Sequence, residues 1–294
     1  MHSLKARIQA GEFVVTAEIN PPRSADAALV RRRAAALKGF VDAANVTDSN
    51  RAQAAMSSLT AALLVREEGV EPIVQMTGRD RNRIALQSDL LGLSALGLPN
   101  VVVMSGDDPK AGDHPDAVNV RDLDGLGILR AAVGMRDRGQ FLSGTAIKRP
   151  PEYFVGATAS PSAPGDVAKT TEKANAGADF LQTQPVFDPS QFEVWLREVR
   201  AGAPATLALI AGVFVLRSAE QTERLAKIPG IVIPAAVVDR MKGAADAERE
   251  GVAIAAEAIG WLRRSGVQGV HLYAIEWPEG VARVAREAGL APRS

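Results

Sequence analysis

Eight short apolar runs, each followed by a longer amphipathic stretch, limit how this 294-residue chain can fold. The runs fall at about Phe13–Asn20, Val41–Thr47, Pro72–Thr77, Asn100–Gly106, Tyr153–Ser160, Asp179–Phe187, Thr206–Val215 and Gln268–Ile275 and are rich in Val, Ile and Phe. The stretches between them are rich in Ala, Arg and Glu and carry helical periodicity. In "RNRIALQSDLLGLSALG", Leu86, Leu90 and Leu93 recur at spacings of four and three, and Ile84 and Leu91 are expected to widen the same apolar stripe. "DPSQFEVWLREVRAG" predicts a helix capped by Asp188, with Pro189 at its first position and Gly202 at its end. "SAEQTERLAKIPG" places Ser218 and Gln221 at capping-box spacing. Strand–helix units with no break in composition predict one α/β domain over residues 1–294, a single (β/α)8 TIM barrel, in which the long gaps after the fourth and seventh strands are insertions. The rival, a dinucleotide-binding doubly wound sheet, needs a G-x-G-x-x-G turn after a strand, and the chain has none.

Composition removes several function classes. Lys+Arg and Asp+Glu both number 34, and no long basic stripe occurs, so nucleic acid is not an expected partner. The absence of Cys excludes a disulfide framework and cysteine-ligated zinc or iron–sulfur centres. No apolar run reaches the roughly 18–20 residues of a membrane span, and "MHSLKARIQAGE" lacks the apolar segment of a secretory signal, so a cytoplasmic location is expected.

A barrel of this kind carries its active site at the C-terminal ends of the strands. Those ends are polar: Glu18 and Asn20, then Thr47, Asp48 and Asn50, then Gln75 and Thr77. They continue with Ser105, Asp107 and Asp108, then Thr158 and Ser160, Gln182 and Gln184, Arg217 and Glu276. Glu18 stands out in "VVTAEINPPRS", because Pro21 and Pro22 cannot continue a ladder and so end the strand just beyond the acid. His271, within "GVHLYAI", reads as a packed, hydrogen-bonded core residue. "GDDPKAGDHPD" reads as a solvated loop, and no metal site is assigned to it. What remains is a carboxylate acid or base, a second carboxylate and amides suited to a planar heterocycle, either a pterin or a flavin.

"VVTAEINPPR", "NVTDSN", "QMTGRDRNRIALQSDLLG", "VVVMSGDDPKAGDHPD", "AGADFLQTQPVFD" and "GVHLYAI" resemble, in order, the strand-end motifs of the methylenetetrahydrofolate reductase family. The resemblance runs from about Phe13 to Leu290 and is nearest the short bacterial single-barrel form. It implies a (β/α)8 barrel holding FAD, which reduces 5,10-methylenetetrahydrofolate to 5-methyltetrahydrofolate with NADH, NADPH or another donor. It implies that Glu18 is the general acid, that Asp107 binds the pterin edge beside the flavin, and that Gln184 contacts pterin and nicotinamide. It places Thr47, Gln75, Ser105, Gly106 and the Gly156, Ala157 and Thr158 strand end around the flavin ring, and Asp166 and Lys173 at its ribose and phosphates. The chain departs from the family pattern in "TASPSAP", in "IEWPE" and at Ser218. Trp277 or Phe214 is then expected to stack on the ligand and Arg217 to hold the folate's glutamate tail. A homo-oligomer and a redox partner protein are further expectations. A non-redox lyase or aldolase and a catalytically idle folate-binding subunit are the alternatives that the residues leave open.

Overall fold

The computed structural model describes residues 3–228, 230–290 and 292. The first four strands are β1 (Val14–Ile19), β2 (Ala43–Val46), β3 (Pro72–Thr77) and β4 (Asn100–Met104), and the last four are β5 (Phe154–Ala159), β6 (Phe180–Pro185), β7 (Ala208–Phe214) and β8 (Gly269–Tyr273). All pair in parallel with their sequence neighbours, and β8 closes on β1 through registers such as Val15 with Val270. The expected barrel is therefore formed, with each predicted strand in place.

The helices are α1 (Leu4–Gln9), α2 (Ala27–Leu37), α3 (Ser58–Glu67), α4 (Arg83–Ala95), α5 (Gly125–Asp137) and α6 (Asp166–Asn175), followed by α7 (Pro189–Gly202), α8 (Ala219–Leu225), α9 (Ala235–Gly243), α10 (Ala247–Arg264) and α11 (Pro278–Glu287). Asp188 caps α7 by accepting from the Gln191 N–H at 3.1 Å, with Pro189 first in the helix. Ser218 caps α8, and the Gln221 side chain reaches back to the Arg217 N–H at 2.8 Å. In α4 only part of the expected stripe is buried: Leu86, Leu90 and Leu93 are at most 1% exposed, whereas Ile84 is 71% exposed. Leu91 is partly buried against the core, as expected, and also borders an outer groove with Phe141 and Leu142; Ile84 faces that groove, because the 139–147 turn lies against that side of the helix.

Between sheet and helices lies a continuous apolar layer that includes Val15, Val74, Val101, Val155, Leu181 and Leu272. Inside the barrel, Val14, Ala43, Ile73, Val102, Phe154, Phe180, Ala208 and Ile210 form an apolar floor, plugged from below by Leu4 of α1. The Phe154 and Phe180 rings stack at 4.9 Å. Closed parallel strands put every strand's C-terminal end on the opposite rim, and most of the polar ends read from the sequence gather there. Gln182 instead lies deeper, bonded to Asn45 and Thr16 inside the barrel, because it is followed by three more residues of its strand.

Candidate active site

Above the floor the interior turns polar. On β1 the inward period-two positions run Val14, Thr16, Glu18, and Asn20 follows just past the strand. Asn45 donates to Gln182 Oε1 at 2.6 Å, and Gln182 Nε2 donates back to Asn45 Oδ1 at 3.1 Å and to Thr16 Oγ1 at 3.4 Å. Thr16 Oγ1 also lies 2.9 Å from His271 Nδ1. Burial drives the His271 pKa down to about 3, so the ring is neutral and fits the core role expected of it. Four strands are thus cross-linked by side chains, which keeps the interior from filling with apolar groups.

Glu18 sits directly over this layer. Removal from water pushes its carboxyl up to about 7, while the polar amide of Asn20 and the nearby Arg51 guanidinium hold it below what burial alone would give. Tyr273 faces it from β8, with its phenol driven well above its ordinary range by burial and, secondarily, by Glu18. The Tyr273 hydroxyl donates to the Thr183 carbonyl at 3.0 Å.

That carbonyl is reachable because the β6–β7 register shifts between Gln182 and Pro185. A side chain at Gly212 would meet Thr183 O at 2.5 Å and Gln184 O at 2.7 Å, so only glycine lets the bulged backbone lean in. The bulge re-aims Gln184, which is half-buried at the rim.

Across the mouth, Asp107 is exposed and accepts from the Arg51 N–H at 2.9 Å. Ser49, Arg51 and Ala52 all have left-handed backbones, with φ of 48°, 57° and 54°. Such strain persists only where neighbours enforce it. The neighbours are the 105–113 loop, where Gly112 lies against the Ala52 carbonyl and Asp113 pairs with Arg23 and accepts from Ala54 N–H. Asp48 is buried and takes Thr77 N–H and Oγ–H at 2.9 Å each, plus both Arg81 terminal nitrogens, so it ties the β2 and β3 ends together. The mouth is a set of interlocked loops carrying an acid with a pKa near neutrality.

The methylenetetrahydrofolate reductase family model matches residues 3–289. The chain belongs to that family. A probable methylenetetrahydrofolate reductase (NADPH) of Caenorhabditis elegans is 28% identical over 186 residues, 63% of this chain and 26% of the relative. Methylenetetrahydrofolate reductase 1 of Schizosaccharomyces pombe is 28% identical over 122 residues, 40% of this chain and 20% of the relative. The matches therefore span about a quarter or less of those relatives' length. Among solved structures, an uncharacterised protein from Clostridium thermocellum, described as binding two copies of 5-methyl-5,6,7,8-tetrahydrofolic acid, superposes with a TM-score of 0.68 at 13% identity. The superposition covers 98% of this chain and 99% of the other, a likeness of fold.

The positions that the family pattern assigns have unequal freedom. The Gln75 side chain makes no hydrogen bond to another described residue and stands open at the rim. Thr47 gives its hydroxyl to Asn20 Oδ1 at 2.9 Å, and Ser105 accepts from the Gly125 N–H at 3.0 Å. Gly106 has a φ of 85°, and a side chain there would press on Thr77 at 3.0 Å. Gly156 leaves room for the Phe180 ring, which an added Cβ would approach to 2.5 Å. Ala157 belongs to the layer beneath the helices, so its side chain points away from the mouth. Asp166 is 6% exposed and accepts from Ser160 N–H, Thr170 Oγ–H and Trp195 Nε1–H at 3.0, 2.8 and 3.0 Å. Lys173 donates to the Thr158 carbonyl at 2.6 Å, and burial lowers its pKa.

Arg217 is paired with Glu248 at 3.0 Å and lies 4.8 Å over the Trp277 ring. Trp277 is 8% exposed, with Arg283 5.3 Å from the same ring and Gly280 close beneath it. The indole is thus packed among its own helix and two arginines instead of offering a free stacking face. Phe214 is buried alongside Tyr273, ring centroids 6.5 Å apart.

Sequence reading missed Arg51, Tyr273 and Thr16. The signal for the last two was present: counting by two from Glu18 and from His271 leads to them.

Proposed function

We propose that this chain reduces the methylene bridge of 5,10-methylenetetrahydrofolate to a methyl group, with Glu18 as the general acid. One observation carries the reading: a carboxyl enclosed at the C-terminal rim of the barrel with a pKa of about 7, where a side chain can hold and release a proton near neutral pH. Family membership and the folate described in the Clostridium thermocellum protein support it.

The rim residues fit the ring of a flavin. Gln75 offers an unpaired amide, and Gly106 keeps the adjacent backbone free of a side chain. On the ribose–phosphate side Asp166 and Lys173 are engaged within the protein, which leaves Lys169 as the exposed cation of α6. A flavin bound there, recharged by NAD(P)H, would supply hydride.

The chain's own residues do the rest. Glu18 gives its proton to N10 of the folate. The bond between the methylene carbon and N10 breaks with its electron pair left on nitrogen, and the carbon remains double-bonded to a cationic N5. Hydride addition at that carbon yields the methyl group. Asp107 has one oxygen occupied by the Arg51 N–H and one left to accept from the pterin's amino edge. Gln184, placed by the bulge, supplies an amide to the same ring. The polar layer beneath, and the neutral Tyr273 and His271, place no further charge under the acid.

The half-reactions test the assignment. Replacement of Glu18 by Gln keeps shape and removes the proton. General acids contribute about 10²–10⁴-fold, so folate reduction in Glu18→Gln should slow by at least ~10²-fold while flavin reduction changes by less than ~10-fold. Stopped-flow absorbance reads each rate. Equal losses in both would make Glu18 a positioning residue, and no loss in either would end its catalytic assignment.

A further inference from the structure

We infer that Asn20, oriented by Thr47, is the positioning residue that keeps the Glu18 carboxyl able both to give its proton and to take one back. The inference rests on the reading of Glu18 as the acid and goes beyond it by naming what sets that acid's strength.

Glu18 and Asn20 are two residues apart at the end of β1, so both face the mouth. An Asn side chain offers one acceptor oxygen and a two-donor nitrogen. The oxygen is occupied: it accepts from Thr47 Oγ–H at 2.9 Å and from Asn50 Nδ2 at 3.5 Å. The nitrogen is thereby left as the free side of the amide, in the small cleft that Asn20 and Glu18 line together, where it favours the ionised carboxyl. Thr47 is itself fixed, since its N–H donates to Ile19 O at 3.1 Å, and Arg33 holds the Asn20 carbonyl at 2.5 Å. If the amide turned over, its oxygen would face the carboxylate and disfavour ionisation. The Thr47 hydroxyl is what makes that arrangement costly.

The other groups around Glu18 cannot substitute. From β8, Tyr273 and His271 stay neutral near neutral pH. Arg51 approaches from the loop after β2. Arg33 of α2 and Glu276 after β8 line the same small cleft and lie 3.7 Å from each other. Asn20 is uncharged, and the other neutral donor, the Tyr273 hydroxyl, is committed to the Thr183 carbonyl, so removal of Asn20 alters the acid without changing the site's charge. An acid left to burial alone would stay protonated well above neutrality and could not act as base when the cycle runs backward.

The test is an infrared difference titration of the whole protein without ligand. The carboxyl band lost in Glu18→Gln identifies Glu18. Its midpoint should lie at about 7 in the unsubstituted protein. In Asn20→Leu it should rise by about one pH unit, the size of a hydrogen bond to a charged group. Thr47→Val, which touches Asn20 but not the acid, should move it the same way, and Thr47→Ser should restore it. An unchanged midpoint in a folded Asn20→Leu overturns the proposal. So does an unchanged midpoint in Thr47→Val, the variant that decides the matter if Asn20→Leu does not fold. Because the titration needs no turnover, it separates this proposal from the reductase reading. If Glu18 is also the acid, the pH profile of folate reduction moves with the midpoint. If the midpoint moves and the profile does not, the assignment of Glu18 fails while the Asn20 contact stands.

Discussion

A carboxyl lifted from its ordinary value of 4.5 to about 7 is a cost to the folded state whenever it is ionised. The stability that Glu18 contributes is fully present below 4.5 and is lost as pH rises through about 7. Glu18→Gln removes that titration, so the variant should gain on the unsubstituted protein between pH 5 and pH 8.5 by about 2 kcal/mol, a figure discounted because the residue, though its carboxyl is enclosed, is only half-buried as a whole. Paired thermal melts across that range check it, and parallel curves would mean that the carboxyl is not enclosed. Asp166 is the contrasting acid. Its carboxylate satisfies a strand-end N–H, a hydroxyl and an indole N–H, so Asp166→Ala should cost about 3 kcal/mol in urea unfolding through donors left buried and unpaired. Glu18 was legible in the sequence because Pro21 and Pro22 mark where its strand stops. The engagement of Asp166 was not, because the indole that claims it comes from Trp195 on α7, 29 residues further on.

At the scale of elements, Val-, Ile- and Phe-rich runs disclosed every strand, and Asp188 and Ser218 disclosed their helix starts, because those signals are local. Registers between strands are not local. The slip between β6 and β7 depends on Gly212 accepting two carbonyls that belong to Thr183 and Gln184. Gly212→Ala should therefore cost about 2–4 kcal/mol, since the atoms in the way are backbone and cannot swing aside. On the proposed reading it should also raise the KM for folate more than it changes flavin reduction, because Gln184 is aimed by the bulge. A stable Gly212→Ala protein with unaltered KM would show that the bulge is incidental. The α4 stripe misleads for the same reason. The periodicity of Ile84 is real, but what lies against its face is the 139–147 turn, which helical spacing cannot announce.

The whole molecule is a stack of three interiors inside one wall: an apolar floor, a hydrogen-bonded middle and a titratable mouth. The wall was legible from the strand–helix rhythm, and the mouth from the rule that barrels work at their C-terminal rim. The middle was not, because Asn45, Gln182, Thr16 and His271 come from four strands and meet only once the barrel closes. This layering separates stability from chemistry. Leu4 is fully buried against the floor, and its N–H donates to Glu71 at 3.0 Å, so α1 acts as a stopper at the far end from Glu18. Leu4→Ala should cost about 2–5 kcal/mol by opening a cavity in rigid packing. Yet the Glu18 midpoint and the rate of folate reduction below the melting range should stay as they were, because the polar layer lies between. Gln182→Leu should do the reverse in kind: it leaves Asn45 and Thr16 without their shared partner directly under the acid, and it should shift the Glu18 midpoint as well as stability. Urea unfolding and the carboxyl titration, run on both variants, read the two effects separately. A Leu4→Ala protein whose acid titrates differently would mean that floor and mouth are mechanically one unit, and the layered description would be wrong.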